Sequence, residues 1–278
     1  MPIPPAVAEF DEISEVYDCT REPLDARSVH AIAETLRGWG IRRVLEVGVG
    51  TGRIAGPLTH EGLEVTGVDA SRGMLARARA KGLPRLIRAS AYRLPLADRA
   101  LDGALFVHVL HVLDDPFGAL AEACRATRFG AAALVRPPRP PPVAGADPQD
   151  ARRLVFEQLR RDGVPVPERA RGGPMSRERE LLTQAPPDRL ATISEDDVTE
   201  RLSEQLSMFE RRASRWRLRV PAEQLARAVA AARVQVGEAT RTYRRVRALA
   251  LWSVPPRPLP RGTGPAPGAL GSSSAAPA

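Results

Sequence analysis

Residues 44 to 55 read VLEVGVGTGRIA. An apolar run carrying one carboxylate, Glu46, leads into glycines at positions 48, 50 and 52, and a helical pattern follows. No other feature narrows the possible folds as much. Glycine is needed where the backbone must take positive φ or where a ligand must come close to the main chain. A helix that starts straight after a strand offers unpaired N–H groups and the positive end of its dipole, which suits a polar or anionic ligand. Read alone, the glycines also fit a tight turn with no ligand. The spacing departs from the dinucleotide fingerprint G-x-G-x-x-G, because Arg53 stands where the third glycine would let strand and helix pack closely. Nicotinamide dinucleotides are therefore expected to bind poorly.

The rest of the chain to residue 136 alternates strand and helix patterns. Residues 8–17 place Phe10, Ile13 and Tyr17 on one helical face. Asp25 is positioned to cap a helix with Val29, Ile32, Ala33 and Leu36 on its buried face, ended near Gly38 and Gly40. RRVLEV, LEVTGVD, RLIRAS, DGALFVHV and AAALVR read as five strands. Ser71 caps a helix running to Lys81, and Asp115 with Pro116 opens another in the N-cap and N1 arrangement. Such alternation predicts a parallel sheet covered by helices on both faces. Asp69 ends the second strand about 20 residues after the glycines, where a carboxylate can grip a ribose diol.

After Arg136 the pattern changes. Prolines dominate 137–150, which reads as a linker. Residues 151–215 are polar, arginine-rich and helical in propensity. PAEQLARAVAAARVQV is an amphipathic helix with Leu225, Val229, Ala232 and Val236 on one face, and RRVRALALW reads as a late strand. From Pro255 the chain is Pro, Gly, Ser and Ala with little apolar bulk, so a disordered tail is expected. The corresponding division is 1–40 N-terminal helices, 41–136 core, 137–150 linker, 151–254 helical cover with the end of the sheet, and 255–278 tail.

Charge says less than its size suggests. The net charge is +8, but Lys81 is the one lysine, and so strong an arginine bias reflects genome composition before it reflects a nucleic-acid surface. Cys19 and Cys124 fit neither a disulfide framework nor a metal spacing, and the first residues lack the basic and apolar regions of a signal peptide, so a cytoplasmic location is expected. No apolar run is long enough for a membrane span. The four histidines, His30, His60, His108 and His111, show no ligand spacing with carboxylates, and no metal is expected.

Three stretches, VLEVGVGTGRIA, VTGVDASRGML and RLPLADRALDGALFVHVLHVLDDPFGAL, resemble the successive motifs of class I S-adenosylmethionine-dependent methyltransferases, nearest to the broad small-molecule and quinone-biosynthesis group. The resemblance covers about residues 8–136. It implies an α/β, Rossmann-like, doubly wound, mostly parallel seven-stranded sheet with a helical insertion after strand 5. It also implies that Glu46, Gly48, Val49 and Gly50 border the methionine part of S-adenosylmethionine. Asp69 would bind the ribose hydroxyls, with Ala70 and Met74 against the adenine. Ser90 and Ala91 stand where the family usually has Asp-Ala, so the adenine loses a charged acceptor. Val107 would face the sulfonium. Tyr17 belongs to a segment that covers the active site in this family. Gly130 alone remains of a usual Pro-Gly-Gly turn.

Methyl transfer from a sulfonium is an in-line displacement, which leaves the protein to position the acceptor and remove its proton. His108 is the candidate general base, since imidazole titrates near neutrality; otherwise it closes the pocket or bonds backbone. His111 reads as structural. Arg21 either meets an anionic group or stays solvated. A small-molecule acceptor is the leading reading. An RNA methyltransferase using the arginines of 152–179 and 211–219 is the second, and a non-catalytic S-adenosylmethionine-binding protein the third. No Asn-Pro-Pro-aromatic turn or Pro-Cys follows the fourth strand, which argues against two nucleic-acid methyltransferase classes.

Overall fold

The computed structural model describes residues 5–21, 24–136, 151–165, 176–211 and 220–255. The expected linker at 137–150 and the expected tail, from residue 256, lie outside the described residues. The N-terminal part holds helices α1 (Pro5–Ile13) and α2 (Ala26–Gly38), with a 3-10 turn at Asp18–Thr20 between them. The core follows as β1 (Arg43–Val47), α3 (Ala55–His60), β2 (Glu64–Asp69), α4 (Arg72–Ala80), β3 (Leu86–Arg88), β4 (Gly103–Val107), α5 (Pro116–Ala126) and β5 (Ala131–Val135). The remainder is α6 (Ala151–Arg161), α7 (Ser176–Gln184), β6 (Arg189–Arg201), α8 (Leu202–Arg211), α9 (Ala222–Val236) and β7 (Thr240–Trp252).

The seven strands form one sheet in the order β3-β2-β1-β4-β5-β7-β6. β1 pairs in parallel with β2 and β4, β3 with β2 and β5 with β4; β7 runs antiparallel to both β5 and β6. The chain goes outward from β1 in one direction and then in the other, which opens a crevice at the carboxyl ends of β1 and β4. Parallel central strands are buried on both faces, and β4 and β5 are buried at every position. One core layer joins Ile32, Leu36, Val44 and Leu105 with α2 and α3; the other joins Leu45, Phe106, Leu120 and Trp252 with α5 and α7.

Local signals set most of these elements. Asp25 Oδ1 accepts from the Ser28 N–H at 2.8 Å, Ser71 Oγ from Met74 at 3.1 Å and Asp115 Oδ1 from Gly118 at 2.9 Å, so all three expected caps are in place. Two elements differ from the sequence reading. The first helix ends at Ile13, and Tyr17 lies in the turn beyond it. Asp11 in its last turns and Asp18 beyond its end bond to the core, as described below. Within 151–215, read as helical, residues 189–201 form the strand β6. Most of β6 is exposed, so it shows no apolar alternation, and its partner strand begins at Thr240.

β5 pairs only with the inner part of β7, up to the Val135–Ala248 pair, so residues 194–201 and 240–247 form a two-stranded ribbon that continues past the sheet. Its far end carries α8 and α9, which close with α6 over a separate apolar cluster containing Val155, Leu159, Leu206, Val229 and Ala232. No helix among the described residues is long and apolar enough to cross a membrane.

Candidate active site

The crevice at the carboxyl ends of β1 and β4 gathers most of the singled-out residues. Glu46 faces inward in the middle of the sheet and is 2% exposed. Its Oε2 is buried with no hydrogen-bond partner. Burial first, and then the nearby Asp69 charge, push its pKa up to about 8. The glycine turn lies just beyond. The Gly48 and Val49 N–H groups both donate to the Val68 carbonyl, at 2.8 and 3.0 Å, which folds the turn over the end of β2. Gly48 has φ +74°, and a Cβ there would meet Val109 Cγ2 at 2.5 Å. Gly50 has φ +55° with open space where a Cβ would stand, so it keeps a free rim.

Asp69 does more than end its strand. Its Oδ2 accepts from the Gly50 N–H and its Oδ1 from the Ser71 N–H, both at 2.8 Å. The carboxylate therefore staples the glycine turn to the start of α4. Removing it therefore loosens both turns as well. Burial raises its pKa, against the lowering effect of the backbone donors. Each oxygen retains a lone pair, so the group can still accept from a ligand. Ala70 is half-buried beside it, and Met74 is buried in the first turn of α4. Ser90 is exposed after β3, its Oγ accepting from the Tyr92 N–H at 3.3 Å; Ala91 is half-buried against the core. Tyr92 Oη accepts from the Asp114 and Asp115 N–H groups at 2.9 and 3.1 Å, joining that turn to the loop before α5.

The N-terminal segment closes the other side. Asp11 Oδ1 accepts from Ser71 Oγ at 2.6 Å and from the Gly73 N–H at 2.8 Å. Asp18 accepts from Thr51 Oγ1 at 2.5 Å and pairs with Lys81, with Arg53 Nε 4.0 Å away. These carboxylates bring Tyr17 and Leu24 over a small open cavity of about 50 Å³ that Thr51, Arg53, Ile54, Val107 and His108 also line. Phe10 packs edge-on against Tyr17 with ring centroids 6.4 Å apart, and the Arg21 guanidinium lies 4.8 Å from the Tyr17 centroid. Arg21 thus stacks on an aromatic ring.

His108 follows β4 with φ +56°, a left-handed conformation costly for a residue with a Cβ. Its ring lines the cavity and keeps an exposed face. Desolvation first, then the charges of Arg136, Arg247 and Arg53 and the neighbouring His111, push its pKa down to about 4. Arg136 directly follows β5, and Arg247 is its neighbour on β7, one pair beyond Val135–Ala248. Arg247 Nη1 lies 3.9 Å from Asp25 and 3.8 Å from Asp196, and donates to Ser194 Oγ at 3.2 Å. Burial and the charges of Arg245 and Arg136 lower its pKa. Among the described residues, no three His, Cys, Asp or Glu side chains are grouped as metal ligands would be.

Sequence reading alone did not single out Asp11, Asp18, Thr51, Arg136 or Arg247 for this site. Asp18 and Thr51 meet across 33 residues, and Arg247 arrives by strand pairing from the far end of the chain. The positive φ of His108 likewise has no local sequence signal.

Residues 45–135 match the family model described as a methyltransferase domain. Two demethylmenaquinone methyltransferases are similar. That of Renibacterium salmoninarum is 32% identical over 133 residues, 46% of this chain and 56% of that protein. That of Beutenbergia cavernae is 30% identical over 141 residues, 49% of this chain and 58% of that protein. A phosphatidylethanolamine N-methyltransferase of Cereibacter sphaeroides is 37% identical over 100 residues, 34% of this chain and 49% of that protein. The chain spans about half the length of these curated relatives.

Proposed function

We propose, from a core that carries a methyltransferase-family domain at residues 45–135, that this protein binds S-adenosylmethionine and directs its methyl group to a small-molecule acceptor. The observation that carries the reading is Glu46. A buried carboxyl group with an unpartnered oxygen, beside a glycine turn with a free rim, suits a cationic group whose charge draws off the carboxyl proton. The ammonium of the methionine part suits it. The residues present fit the rest of the cofactor as well: Asp69 has lone pairs for ribose hydroxyls, and Ala70, Ser90 and Ala91 border the adenine side. Ser90 offers one neutral acceptor there.

When bound, the cofactor supplies an electrophilic methyl group and its leaving group. The chain supplies placement. Tyr17 and Leu24 exclude water from above, while Val107 and His108 form the floor where the acceptor meets the methyl group. At neutral pH the His108 ring is unprotonated and can take the acceptor's proton. A base whose pKa lies near 4 is weak, so the residue serves best once cations around it are neutralised. In-line displacement at such a floor calls on no metal ion.

The relatives' names specify two different acceptors, a demethylmenaquinone and a phosphatidylethanolamine. The RNA alternative draws no support from the described residues: arginines 212–219 lie outside them, and Arg153 pairs with Glu157 at 2.8 Å.

Titration calorimetry tests the cofactor assignment. S-adenosylhomocysteine should bind, and Asp69→Ala should weaken it roughly 10- to 1,000-fold, since each charge-assisted bond is worth about 1.5–3 kcal/mol. Circular dichroism on the same variant separates lost binding from loosened turns. A clear preference for a nicotinamide dinucleotide, or unchanged affinity in the variant, overturns the assignment.

A further inference from the structure

His108 holds a backbone conformation that its own chemistry disfavours. With φ at +56° it lies in the left-handed region, where a residue with a Cβ stays only when its surroundings fix it. It follows β4 and opens the loop 108–115 that leads into α5. The loop is fastened at both ends.

The near end is wedged. Val109 packs so closely over the glycine turn that a Cβ on Gly48 would meet its Cγ2 at 2.5 Å. Leu110, 4% exposed, then enters the core. The far end is tied. Asp114 and Asp115 stand ahead of α5, where main-chain N–H groups have no partner within the helix. Both donate to the Tyr92 phenol oxygen, at 2.9 and 3.1 Å.

Tyr92 itself has a firm base. The turn that carries it begins at Ala89, whose N–H donates to the Asp69 carbonyl at 3.1 Å. Within the turn, Ser90 Oγ accepts from the Tyr92 N–H at 3.3 Å, and the Ser90 carbonyl accepts from the Arg93 N–H at 3.1 Å. The Leu94 N–H then donates to Glu122 on α5 at 2.8 Å. One phenol oxygen thus joins the turn after β3, which is bonded to the end of β2, to the loop after β4. Tyr92 is 43% exposed, so core packing does not explain its place. Its two hydrogen bonds do.

We infer that Tyr92 is a positioning residue: by holding the Asp114 and Asp115 N–H groups it fixes the loop 108–115 at its far end, as Val109 does at its near end, and the two anchors together aim the His108 ring into the cavity. What His108 does there, taking the acceptor's proton, rests on the methyltransferase reading. Its placement by Tyr92 does not. A ring held along the cavity lining meets less water than one on a loose loop, so the tie also sustains the desolvation that lowers the His108 pKa.

The test compares the full chain with Tyr92→Phe, which keeps the ring and deletes the acceptor oxygen. Amide hydrogen exchange reports the tie directly. Exchange at Asp114 and Asp115 is expected to quicken at least about tenfold, while Leu105 and Phe106 inside β4 keep their protection. Ring signals of histidine-labelled protein report the consequence, with His108 identified by the signal missing from His108→Gln. Its midpoint is expected to rise from near 4 to above about 5, with His30 and His60 unmoved. Arg53, Arg136, Arg247 and His111, whose charges also act on the ring, are unaltered in the variant, so the rise reports solvation. A merely structural tie would quicken exchange and leave the midpoint where it was; that result overturns the proposal, as does unchanged exchange. Titration of S-adenosylhomocysteine into both proteins keeps the two readings apart. If it binds and His108 does not respond to the substitution, the positioning role falls and the methyltransferase reading stands. If it binds neither protein and His108 responds, the opposite holds.

Discussion

Two carboxylates on neighbouring strands of one sheet have opposite surroundings. Asp102, just before β4 at the amino end, accepts from the Arg42 and Arg43 N–H groups at 3.2 and 2.8 Å and from the Arg43 guanidinium at 3.2 and 2.9 Å. These bonds hold its pKa below the ordinary value despite some desolvation. Glu46, near the carboxyl end of β1, has an oxygen with no partner and a pKa near 8. The amino rim is finished by the chain itself. The carboxyl rim keeps the unpartnered oxygen of Glu46, and the His108 ring with its lowered pKa lies at the same rim. Unmet electrostatic demand within one sheet marks the end that binds.

The largest way to break this comparison is Asp102→Ala. Two backbone donors and a guanidinium lose their acceptor, so unfolding by urea should show a loss of about 2–4 kcal/mol. Affinity for S-adenosylhomocysteine should stay within about twofold, because the cost falls on the unbound and bound protein alike. A tenfold loss of affinity would show that the two rims are not independent.

Glu46→Gln should act in the reverse sense. Between about pH 4.5 and 8 the unfolded chain has released the Glu46 proton while the folded chain still holds it, so this residue costs stability as pH rises through that window. The amide removes that cost. Urea unfolding at pH 8 should show a gain of about 1–3 kcal/mol, shrinking toward zero at pH 5. S-adenosylhomocysteine binding should weaken at least tenfold. A variant that is less stable at pH 8 would mean that Glu46 already has its partner.

His108 sharpens the comparison by titration. Its folded pKa lies below the ordinary 6.5, so the unfolded chain takes the proton first and stability declines as pH falls from about 6.5 toward 4. Ring signals of labelled histidine should give a midpoint near 4 in the ligand-free protein. A midpoint near 6.5 would mean that the cavity walls do not exclude water.

The smallest effect belongs to a pair the chain has completed in full solvent. Arg244 Nε lies 2.6 Å from Glu195 on the outer face of the ribbon. Arg244→Ala should leave the melting temperature nearly unchanged, because solvent screens such a pair. A marked drop would give the ribbon's charge pairing a larger part in holding β6 than burial has.

The sequence made the glycine-turn side of the crevice legible because its signals are local. The glycines at 48, 50 and 52, the caps at Asp25, Ser71 and Asp115 and the apolar runs of β1, β4 and β5 each act within a few residues. Glu46 and Asp69 could be named for the same reason, although the second role of Asp69 as a staple could not. The opposite side was illegible because nothing local writes it. β6 has two largely exposed faces and hence no hydrophobic period. Arg247 is one of many arginines until antiparallel pairing sets it beside Arg136. Asp11 and Asp18 look like ordinary helix-surface acids until they reach α4 and Thr51.

The ribbon has a mechanical consequence. β7 is clamped over Ala248–Trp252 by β5 and then runs on with β6 as its one strand neighbour. It is a cantilever, loaded at its free end by the α8–α9 cluster and fixed at its root, and bending strain in a cantilever concentrates at the root. Arg245 and Arg247 stand there. Bending of the ribbon would therefore be felt first at these two guanidinium groups, while β1 and β4, each paired on both sides, hold their register.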